Sequence, residues 1–330
     1  MSPALAQASK STPTPPDPLT VLEDHMRRDL ALAPGVLGEV AREAIAAGGK
    51  RVRPQLVYLA HEACGGDAEG WPTCGVYATA VEYLHTATLL HDDLIDGATL
   101  RRGQEAAYRR FGPKEAVLSG DLLLARCLMH ITSPGDPAAV SALARAAERV
   151  AVGEAMEVEL TRDPGVDRDR YLHYATSKTG ALFAAALELG ARAAGAPEAQ
   201  VAALAAFGES VGLAFQIADD LLDVIGEEAR TGKRPGLDLL AGVPSLPVVE
   251  ALDALGPERG EVVAQLLSGD APESTLADAL RLVAEHGVEP CVARARELVD
   301  EAKASLEQLP LCDARLELAR HAEKAVERLS

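Results

Sequence analysis

The 330-residue sequence predicts an all-α fold, and both composition and residue spacing support this class. Aromatic residues make up only 3 % of the chain, alanine and leucine recur throughout, and β-branched residues show little of the alternation typical of strands. From Leu19 onward apolar residues recur at three- and four-residue spacing, and glycine or proline interrupts the pattern about every fifteen to twenty-five residues. These features predict a series of helices in one large domain.

The domain boundaries follow from composition. Residues 1–18 contain five prolines together with serine and threonine, which predicts a flexible N-terminal leader. This segment lacks the basic start and apolar middle of a signal peptide. No linker and no charge block interrupts residues 19–330, so we expect them to form a single all-helical domain.

Charge and cysteine content limit the classes of partner. The formal net charge of -18 argues against a nucleic acid or an anionic membrane surface as the main target. No stretch of about eighteen uncharged apolar residues is present, so we expect no stable membrane insertion. The five cysteines are scattered without a CxxC pair, which is typical of a reduced, cytoplasmic protein.

An apolar segment that ends in the pattern Asp-Asp-x-x-Asp occurs twice. The acidic residues are Asp92, Asp93 and Asp96 in the first copy and Asp219, Asp220 and Asp223 in the second. Residues four apart lie on one face of a helix, so the outer carboxylates of each copy face the same way. They repel one another and oppose the negative pole of the helix dipole, a cost that a bound cation would remove. Mg²⁺ prefers carboxylate oxygen, and substrate phosphates commonly complete its coordination.

A solvated acidic helix end is the plain alternative, because the chain contains 50 acidic residues. At an aspartate frequency of roughly 5 %, one chance occurrence of the pattern in a chain of this length has a probability of about one in twenty. Two chance occurrences have a probability of about one in a thousand. The repetition therefore favours a metal site.

Positive charge lies near several predicted helix ends. Gly48-Gly49 precedes Lys50, Arg51 and Arg53, and the other cations considered are Arg101, Arg102, Lys178 and Lys233. Guanidinium groups bind phosphate oxygens bidentately. A glycine pair before a new helix is ordinary loop chemistry when taken alone. Acidic clusters and phosphate-binding cations in one chain, however, indicate a diphosphate leaving group.

The order and spacing of these motifs, from about Ala46 to Pro247, resemble the trans-isoprenyl diphosphate synthase (polyprenyl synthetase) family. The resemblance implies a bundle of long antiparallel helices around a deep central cavity, usually as a homodimer. It implies that the six aspartates hold three Mg²⁺ ions, which Mn²⁺ could replace, on an allylic diphosphate. The implied reaction condenses that diphosphate head to tail with isopentenyl diphosphate to make a polyprenyl diphosphate.

The resemblance also implies roles for individual residues. The isopentenyl diphosphate would be bound by Lys50, Arg53, His85 and Arg102. The allylic diphosphate would be held by Arg101, Lys178 and Lys233. The implied catalytic set is Asp92, Asp93, Asp96, Lys178, Thr179, Gln216 and Asp219, with Thr179 and Gln216 beside the developing allylic cation. By spacing alone, His85 is better explained as a packed or capping histidine.

The implied mechanism is ionisation, condensation and elimination. Metals and cations stabilise the departing pyrophosphate, the isopentenyl double bond attacks the allylic cation, and a proton is lost. No side chain in the sequence stands out as the base, and the family's proposed base is the released pyrophosphate. Water has to be excluded because it would quench the cation.

Three positions depart from the family's pattern. Val243 stands where a lysine often follows the second acidic motif, so we expect one phosphate-facing cation to be missing. Glu157 stands where glutamine is common and adds an acid near the expected site. After Arg101-Arg102-Gly103, the usual Lys-Pro-Thr is replaced by residues 104–106, Gln-Glu-Ala, which belong to no motif used above.

Product length is expected to depend on the helix that carries Asp92. Ala87 and Thr88 lie about one turn before it, where a bulky aromatic residue stops chain growth early in the family. The next candidate floor is a predicted helix with Leu124, Leu128 and Ile131 at helical spacing, although core packing explains these residues at least as well. We expect a product longer than fifteen carbons, in the range of thirty to fifty, with geranylgeranyl diphosphate as the alternative.

Other classes of protein share part of this pattern. A class I terpene cyclase also uses a helical bundle and an aspartate-rich magnesium site, but it has no second substrate to occupy Lys50, Arg53 and Arg102. A non-catalytic subunit of a two-component synthase would have lost acids or cations, and only Val243 supports that alternative. A purely structural acidic bundle predicts no dependence on metal or diphosphate.

Overall fold

The computed structural model of this protein describes residues 17–226 and 234–327. The predicted leader falls almost entirely on residues 1–16, which lie outside these ranges. The first helix begins at Pro18, one residue earlier than the predicted boundary. Asp17 caps it, because the Asp17 carboxylate accepts a hydrogen bond of 3.1 Å from Thr20 N.

Helices make up nearly all of the regular structure. In chain order they are α1 (Pro18–Ala31), α2 (Gly35–Ala46), α3 (Val52–Ala63), α4 (Trp71–Ile95), α5 (Ala107–Phe111), α6 (Pro113–Thr132), α7 (Pro137–Leu160), α8 (Arg168–Ala175), α9 (Ala181–Ala193), α10 (Glu198–Ile225), α11 (Leu237–Ala241), α12 (Leu246–Arg259), α13 (Glu261–Ser268), α14 (Leu276–His286), α15 (Val288–Ser305) and α16 (Asp313–Glu327). A π-helical turn (Thr176–Gly180) joins α8 to α9, and 3₁₀ turns lie at Glu273–Thr275 and Leu306–Gln308.

One short β-hairpin interrupts the helices. Its strands are β1 (Leu100–Arg101) and β2 (Gln104–Glu105), and they pair antiparallel. The two turn residues, Arg102 and Gly103, both have positive φ angles, of 52° and 77°, as a tight hairpin turn of the primed type requires. Since the described residues are otherwise helical or irregular, the all-α prediction is confirmed.

Proline and glycine set many of the helix boundaries, as the sequence predicts. Proline occupies the first turn of α1, α4, α6, α7 and α12, where a missing N–H costs little. Left-handed glycines end α11 at Gly242 and α13 at Gly269. The pair Gly256-Pro257 does not end a helix but forms a kink inside α12, where Gly256 takes a φ of 67°.

Two long helices, α4 and α10, organise the packing. The helix α4 packs on α3, α6 and α9, while α10 packs on α9 and α15. Small residues let these helices approach closely: a Cβ atom at Gly190 of α9 would lie 2.1 Å from Val57 O of α3. Large side chains such as Tyr83 of α4 and Phe207 of α10 are fully buried in one hydrophobic core.

A second, smaller hydrophobic cluster forms beside the C-terminal end of α10. Its members include Val224 of α10, Leu239 of α11, Val248 of α12, Val263 of α13 and Val283 of α14. This cluster fixes α11 next to the end of α10, where the second acidic motif lies.

The helix α10 is long and apolar enough to cross a membrane by length and composition alone. However, 61 % of its most apolar window is buried inside the bundle. Core packing on α9 and α15 therefore accounts for its apolar character.

Candidate active site

The first acidic motif lies at the C-terminal end of α4, where Asp96 is the C-cap. Burial raises the pKa of Asp92 to about 7, and the nearby carboxylates of Glu154 and Asp96 add to this while Lys178 opposes it. Burial also raises the pKa of Asp96, with Lys178 again opposing. Two neighbouring carboxyl groups whose charged forms are disfavoured are what a cation site would present before the cation binds.

Asp93 differs from its two neighbours. Its side chain is buried, with 3 % of the residue exposed, and its Oδ1 accepts hydrogen bonds from Nε (2.7 Å) and Nη2 of Arg101. Successive helical residues are about 100° apart, so Asp93 points away from the face shared by Asp92 and Asp96. In this structure Asp93 anchors Arg101 on the hairpin, and the expectation that Asp93 also binds metal stays a prediction.

The second acidic motif is divided in the same way. Asp220 is 4 % exposed and accepts hydrogen bonds from Tyr171 Oη (2.6 Å), Gln216 Nε2 (2.9 Å) and Leu246 N (3.0 Å). Burial raises the pKa of Asp220 to about 6, against the lowering effect of these hydrogen bonds. Asp220 thus holds α8, α10 and α12 together, and its expected role as a metal ligand stays a prediction.

The outer residues of this motif are more accessible. Asp219 is exposed on α10. Asp223 is half-buried and caps the start of α11, because its carboxylate oxygens accept from Leu237 N and Asp238 N at 3.2 Å. The second motif therefore offers Asp219 toward solvent and uses Asp223 to fix α11.

The π-helical turn places Lys178 between acidic side chains. Its Nζ pairs closely with Glu157 and lies 2.8 Å from Glu154 Oε2. Burial alone would lower the pKa of Lys178, but these carboxylates outweigh burial and hold the pKa above its ordinary value. Gly153 makes the approach feasible, since a Cβ atom there would lie 2.4 Å from Lys178 N. Rare π-helical turns often mark functional sites.

A hydrogen-bond chain connects the π-helical turn to the second motif. Thr179 Oγ1 donates to Gln216 Oε1 at 2.8 Å, and Gln216 Nε2 donates to Asp220. On its other side, Lys178 acts electrostatically on Asp92 and Asp96. The turn therefore bridges the two acidic motifs, and it brings the predicted residues Lys178, Thr179 and Gln216 into one site.

The predicted isopentenyl diphosphate residues form a second group. Arg53 Nη1 lies 3.1 Å from His85 Nε2, and its guanidinium carbon lies 4.6 Å from the centre of the Phe183 ring. Burial and the adjacent Arg53 hold the pKa of His85 well below its ordinary value, so the ring is neutral and Nε2 accepts the hydrogen bond. Burial lowers the pKa of Arg53 itself to about 10.

The other cations of this group lie beside the glycine pair. Arg102 places its guanidinium next to Gly49, where a Cβ atom would lie 3.0 Å from Nη2. Burial lowers the pKa of Arg102. Lys50 is exposed, and its carbonyl accepts a hydrogen bond of 2.8 Å from Gln55. Lys233, predicted to hold the allylic diphosphate, lies outside the described residues.

The candidate product-length residues separate into two groups. Ala87 is fully buried on α4, and Thr88 is half-buried with its Oγ1 bonded to His85 O at 2.9 Å. On α6 the buried stripe consists of Leu123, Cys127 and Ile131, with Leu124 partly buried beside it. Leu128 is 60 % exposed, which corrects the prediction that it faces inward. The stripe begins one residue earlier than the sequence pattern suggested.

Three site residues were missed by the sequence analysis in this role: Glu82, Glu154 and Tyr171. Each is buried next to a predicted functional residue: Glu82 beside Arg51, Glu154 beside Lys178, and Tyr171 beside Asp220. The available signal for Glu82 was an acidic residue inside an otherwise apolar helical segment, because a buried charge needs a partner. Tyr171 gave no comparable signal.

The donor set fits a divalent cation that the substrate helps to bind. Within residues 17–226 and 234–327, no three His, Cys, Asp or Glu side chains are grouped closely enough to hold a metal ion on their own. Burial and the carboxylates of Glu154 and Asp96 nevertheless raise the pKa of Asp92 against Lys178, so a bound cation would favour the charged form of this carboxyl. Carboxylates of this kind suit Mg²⁺, which keeps several waters and takes further ligands from phosphate.

Comparison with known proteins agrees with this geometry. The polyprenyl synthetase family model matches residues 34–283. The short chain isoprenyl diphosphate synthase of Methanothermobacter thermautotrophicus is 35 % identical, over 93 % of this chain and 95 % of its own. Heptaprenyl diphosphate synthase component 2 of Geobacillus stearothermophilus is 36 % identical, over 91 % of this chain and 92 % of its own.

Solved structures show the same fold. The polyprenyl synthase from Caulobacter crescentus CB15, complexed with calcium and isoprenyl diphosphate, matches with a TM-score of 0.87 at 35 % identity, and the match covers 95 % of each chain. An all-helical bundle that sets two acidic motifs beside a group of cations defines a transferase acting on diphosphates. The chain belongs to the polyprenyl synthetase family.

Proposed function

We propose that this enzyme condenses isopentenyl diphosphate with an allylic diphosphate, head to tail, in a magnesium-dependent reaction in the cytoplasm. The observation that supports this most directly is the bridge formed by the π-helical turn. Lys178 acts on Asp92 and Asp96 of one acidic motif, and Thr179 connects through Gln216 to the other. A diphosphate bound there would meet carboxylates for its metal ions and a lysine for its charge.

The metal ligands would be Asp92, Asp96 and Asp219. These three carboxylates are accessible, whereas Asp93 and Asp220 are buried in other contacts. Bound Mg²⁺ would neutralise charge on the departing pyrophosphate. Three ions are the number that the family resemblance implies. The calcium reported for the related Caulobacter crescentus structure supports a divalent cation as the class of cofactor.

Two different sets of side chains would bind the two diphosphates. Arg101 and Lys178 would hold the allylic diphosphate, and Lys50, Arg53 and Arg102 the isopentenyl diphosphate. Thr179 and Gln216 would place polar oxygens beside the allylic carbon as its C–O bond breaks. The isopentenyl double bond forms the new C–C bond, and the proton then lost passes to the released pyrophosphate. The reaction requires that water be kept away from the cation.

We propose a product longer than fifteen carbons, in the range of thirty to fifty. Ala87 supports this, because alanine stands about one turn before Asp92, at the position where the family resemblance places a bulky aromatic residue in enzymes that stop chain growth early. The names of the relatives range from short chain to nonaprenyl, so a twenty-carbon product is the alternative. Reversed-phase analysis of the product distribution discriminates between the two.

A homodimer is the proposed assembly. The helix α6 exposes large apolar side chains, with Leu118 50 % exposed and Met129 63 % exposed. They are 11 residues apart, or about three helical turns, so they lie on one face. The name of the Geobacillus stearothermophilus relative suggests the alternative that a second component is needed. Light scattering after size exclusion would show a single mass of twice the chain if the dimer is correct.

The test of the reaction is incorporation of radiolabelled isopentenyl diphosphate with farnesyl diphosphate as primer. We expect polyprenyl products with Mg²⁺ and none after chelation with EDTA. The same reaction with geranyl and geranylgeranyl diphosphate identifies the preferred primer. Failure to incorporate label with any primer, by a folded protein in Mg²⁺, would support the terpene cyclase or the subunit that needs a partner instead.

A further inference from the structure

Arg51 has an unusual backbone and an unusual environment. It directly precedes α3 with a φ of 47° and a ψ of 37°, a left-handed conformation that a residue with a Cβ atom rarely adopts. It is also buried, with 7 % of its surface exposed. Strained residues of this kind persist only where surrounding contacts fix them, and they cluster at functional sites.

The contacts that fix Arg51 centre on a buried carboxylate. Its Nη1 pairs closely with Glu82 on α4, a residue that is only 3 % exposed. Its Nη2 donates a hydrogen bond of 2.6 Å to Ile45 O near the end of α2. Glu23 of α1 lies 3.5 Å from Nε. The guanidinium of Arg51 therefore connects α1, α2 and α4 at the point where α3 begins.

Glu82 also acts on the neighbouring cations. Burial lowers the pKa of both Arg53 and Arg102. Among the neighbouring charges that raise these pKa values, Glu82 has the largest effect. Arg102 lowers the pKa of Arg53, and Arg51 lowers the pKa of Arg102, as like charges do. Glu82 is thus a shared counter-ion for a group whose other members lie in the proposed isopentenyl diphosphate site.

We propose that the Glu82–Arg51 ion pair is a positioning device for the isopentenyl diphosphate site. The pair holds the left-handed turn at Arg51, which sets Lys50 on one side and Arg53 on the other. The negative charge of Glu82 keeps the cations close together before the substrate's diphosphate arrives. Neither Glu82 nor Arg51 needs to touch substrate. This inference rests on the proposed function, which assigns Lys50 and Arg53 to that substrate.

The test variants are Glu82→Gln, Arg51→Gly and the double variant. Glu82→Gln keeps the shape and removes the charge, whereas Arg51→Gly permits the left-handed turn without strain and removes the guanidinium. The matched control is Glu43→Gln, which removes the charge from an ion pair with Arg110 that is partly exposed. Isopentenyl diphosphate does not react without a primer, so calorimetry can measure its binding directly. Steady-state assays then give KM for each substrate.

We expect Glu82→Gln to weaken isopentenyl diphosphate binding and raise its KM by about tenfold, with KM for farnesyl diphosphate within about twofold. The double variant should lose no more affinity than the single variant that binds isopentenyl diphosphate less tightly, because the two residues act as a unit. Equal rises in both KM values, additive losses, or a change in thermal stability alone would overturn the inference. Failure of the wild type to incorporate label would instead count against the proposed function.

Discussion

The phenol of Tyr171 donates a hydrogen bond of 2.6 Å to Asp220 Oδ2, in the buried layer beneath the second acidic motif. Asp220 in turn orients Gln216, which accepts from Thr179. A side chain on α8 is thereby connected to a residue proposed to lie beside the allylic cation. The connection passes through an aspartate that the sequence pattern alone would assign to metal binding.

Tyr171→Phe should therefore reduce kcat by about tenfold and lower the free energy of unfolding by about 1–3 kcal/mol, because Asp220 loses a buried donor. Tyr174→Phe is the matched control, since Tyr174 packs edge-on against Tyr171 with ring centres 5.1 Å apart. Single-turnover assays and chemical denaturation measure the two effects. Equal losses in both variants would mean that the effect is not specific to the hydrogen bond between Tyr171 and Asp220.

Local patterns in the sequence were sufficient to predict the helices and the outer aspartates. Periodicity gives the helical class, and four-residue spacing places Asp92 and Asp96 on one face. The roles of Asp93 and Asp220 could not be predicted, because they depend on Arg101 and Tyr171, which reach them only through tertiary packing. Spacing cannot show that a carboxylate is already engaged.

The sequence pattern also could not predict which face of α6 is buried. Leu124 and Leu128 fit an apolar spacing as well as Leu123 and Cys127 do, and the two stripes differ by one residue, or about 100° of rotation. Contact with α4 selects the earlier stripe, which leaves Leu128 exposed. A helix that is apolar on more than one face does not specify which face is buried.

Asp92 and Asp93 should respond differently to the same substitution. Asp92→Asn should raise the Mg²⁺ concentration needed for half-maximal activity by about tenfold or more, because it removes a proposed metal ligand. Asp93→Asn should leave that concentration unchanged and raise KM for the allylic diphosphate, because Arg101 loses its anchor. Mg²⁺ titrations of both variants provide the measurement. A shift in the Mg²⁺ dependence of the Asp93→Asn variant would show that Asp93 binds metal.

Thermal stability without divalent metal should fall as pH rises toward neutrality. The folded-state pKa of Asp92 is about 7, above its ordinary value of 3.8, so folding favours the protonated carboxyl between these values. This contribution is fully present below about pH 4 and is lost as pH rises through about 7. Asp220, with a pKa of about 6, contributes with the same sign.

The variant Asp92→Asn isolates the contribution of this residue. In EDTA at pH 7.5 its melting temperature should exceed that of the wild type, because the amide removes a buried charge, and the difference should shrink at pH 5. Mg²⁺ together with pyrophosphate should stabilise the wild type and not the variant. Parallel pH profiles for the two proteins would show that Asp92 is not the source of the slope.

Glu157 should weaken binding of the allylic diphosphate by holding Lys178. Glu157→Gln leaves Glu154 as the acidic partner of that lysine, so less ion pairing has to be broken when a phosphate binds. We expect KM for farnesyl diphosphate to fall by about threefold with little change in kcat. Glu159→Gln, on the exposed side of α7, is the control. An increase in KM would mean that Glu157 orients Lys178 instead of competing for it.

Ala87 should limit product length when it is enlarged. Ala87→Phe places an aromatic ring one turn below Asp92, in a fully buried position, and should shorten the products to twenty carbons or fewer. The overpacked side chain should also cost about 1–3 kcal/mol of stability. Leu128→Phe is the control, because Leu128 is exposed on α6 and should not alter the product distribution. Chromatography of dephosphorylated products measures both variants. Unchanged products from Ala87→Phe would show that the chain grows past another part of the bundle. A shorter product from Leu128→Phe would show that the exposed face of α6 becomes enclosed in the assembled enzyme.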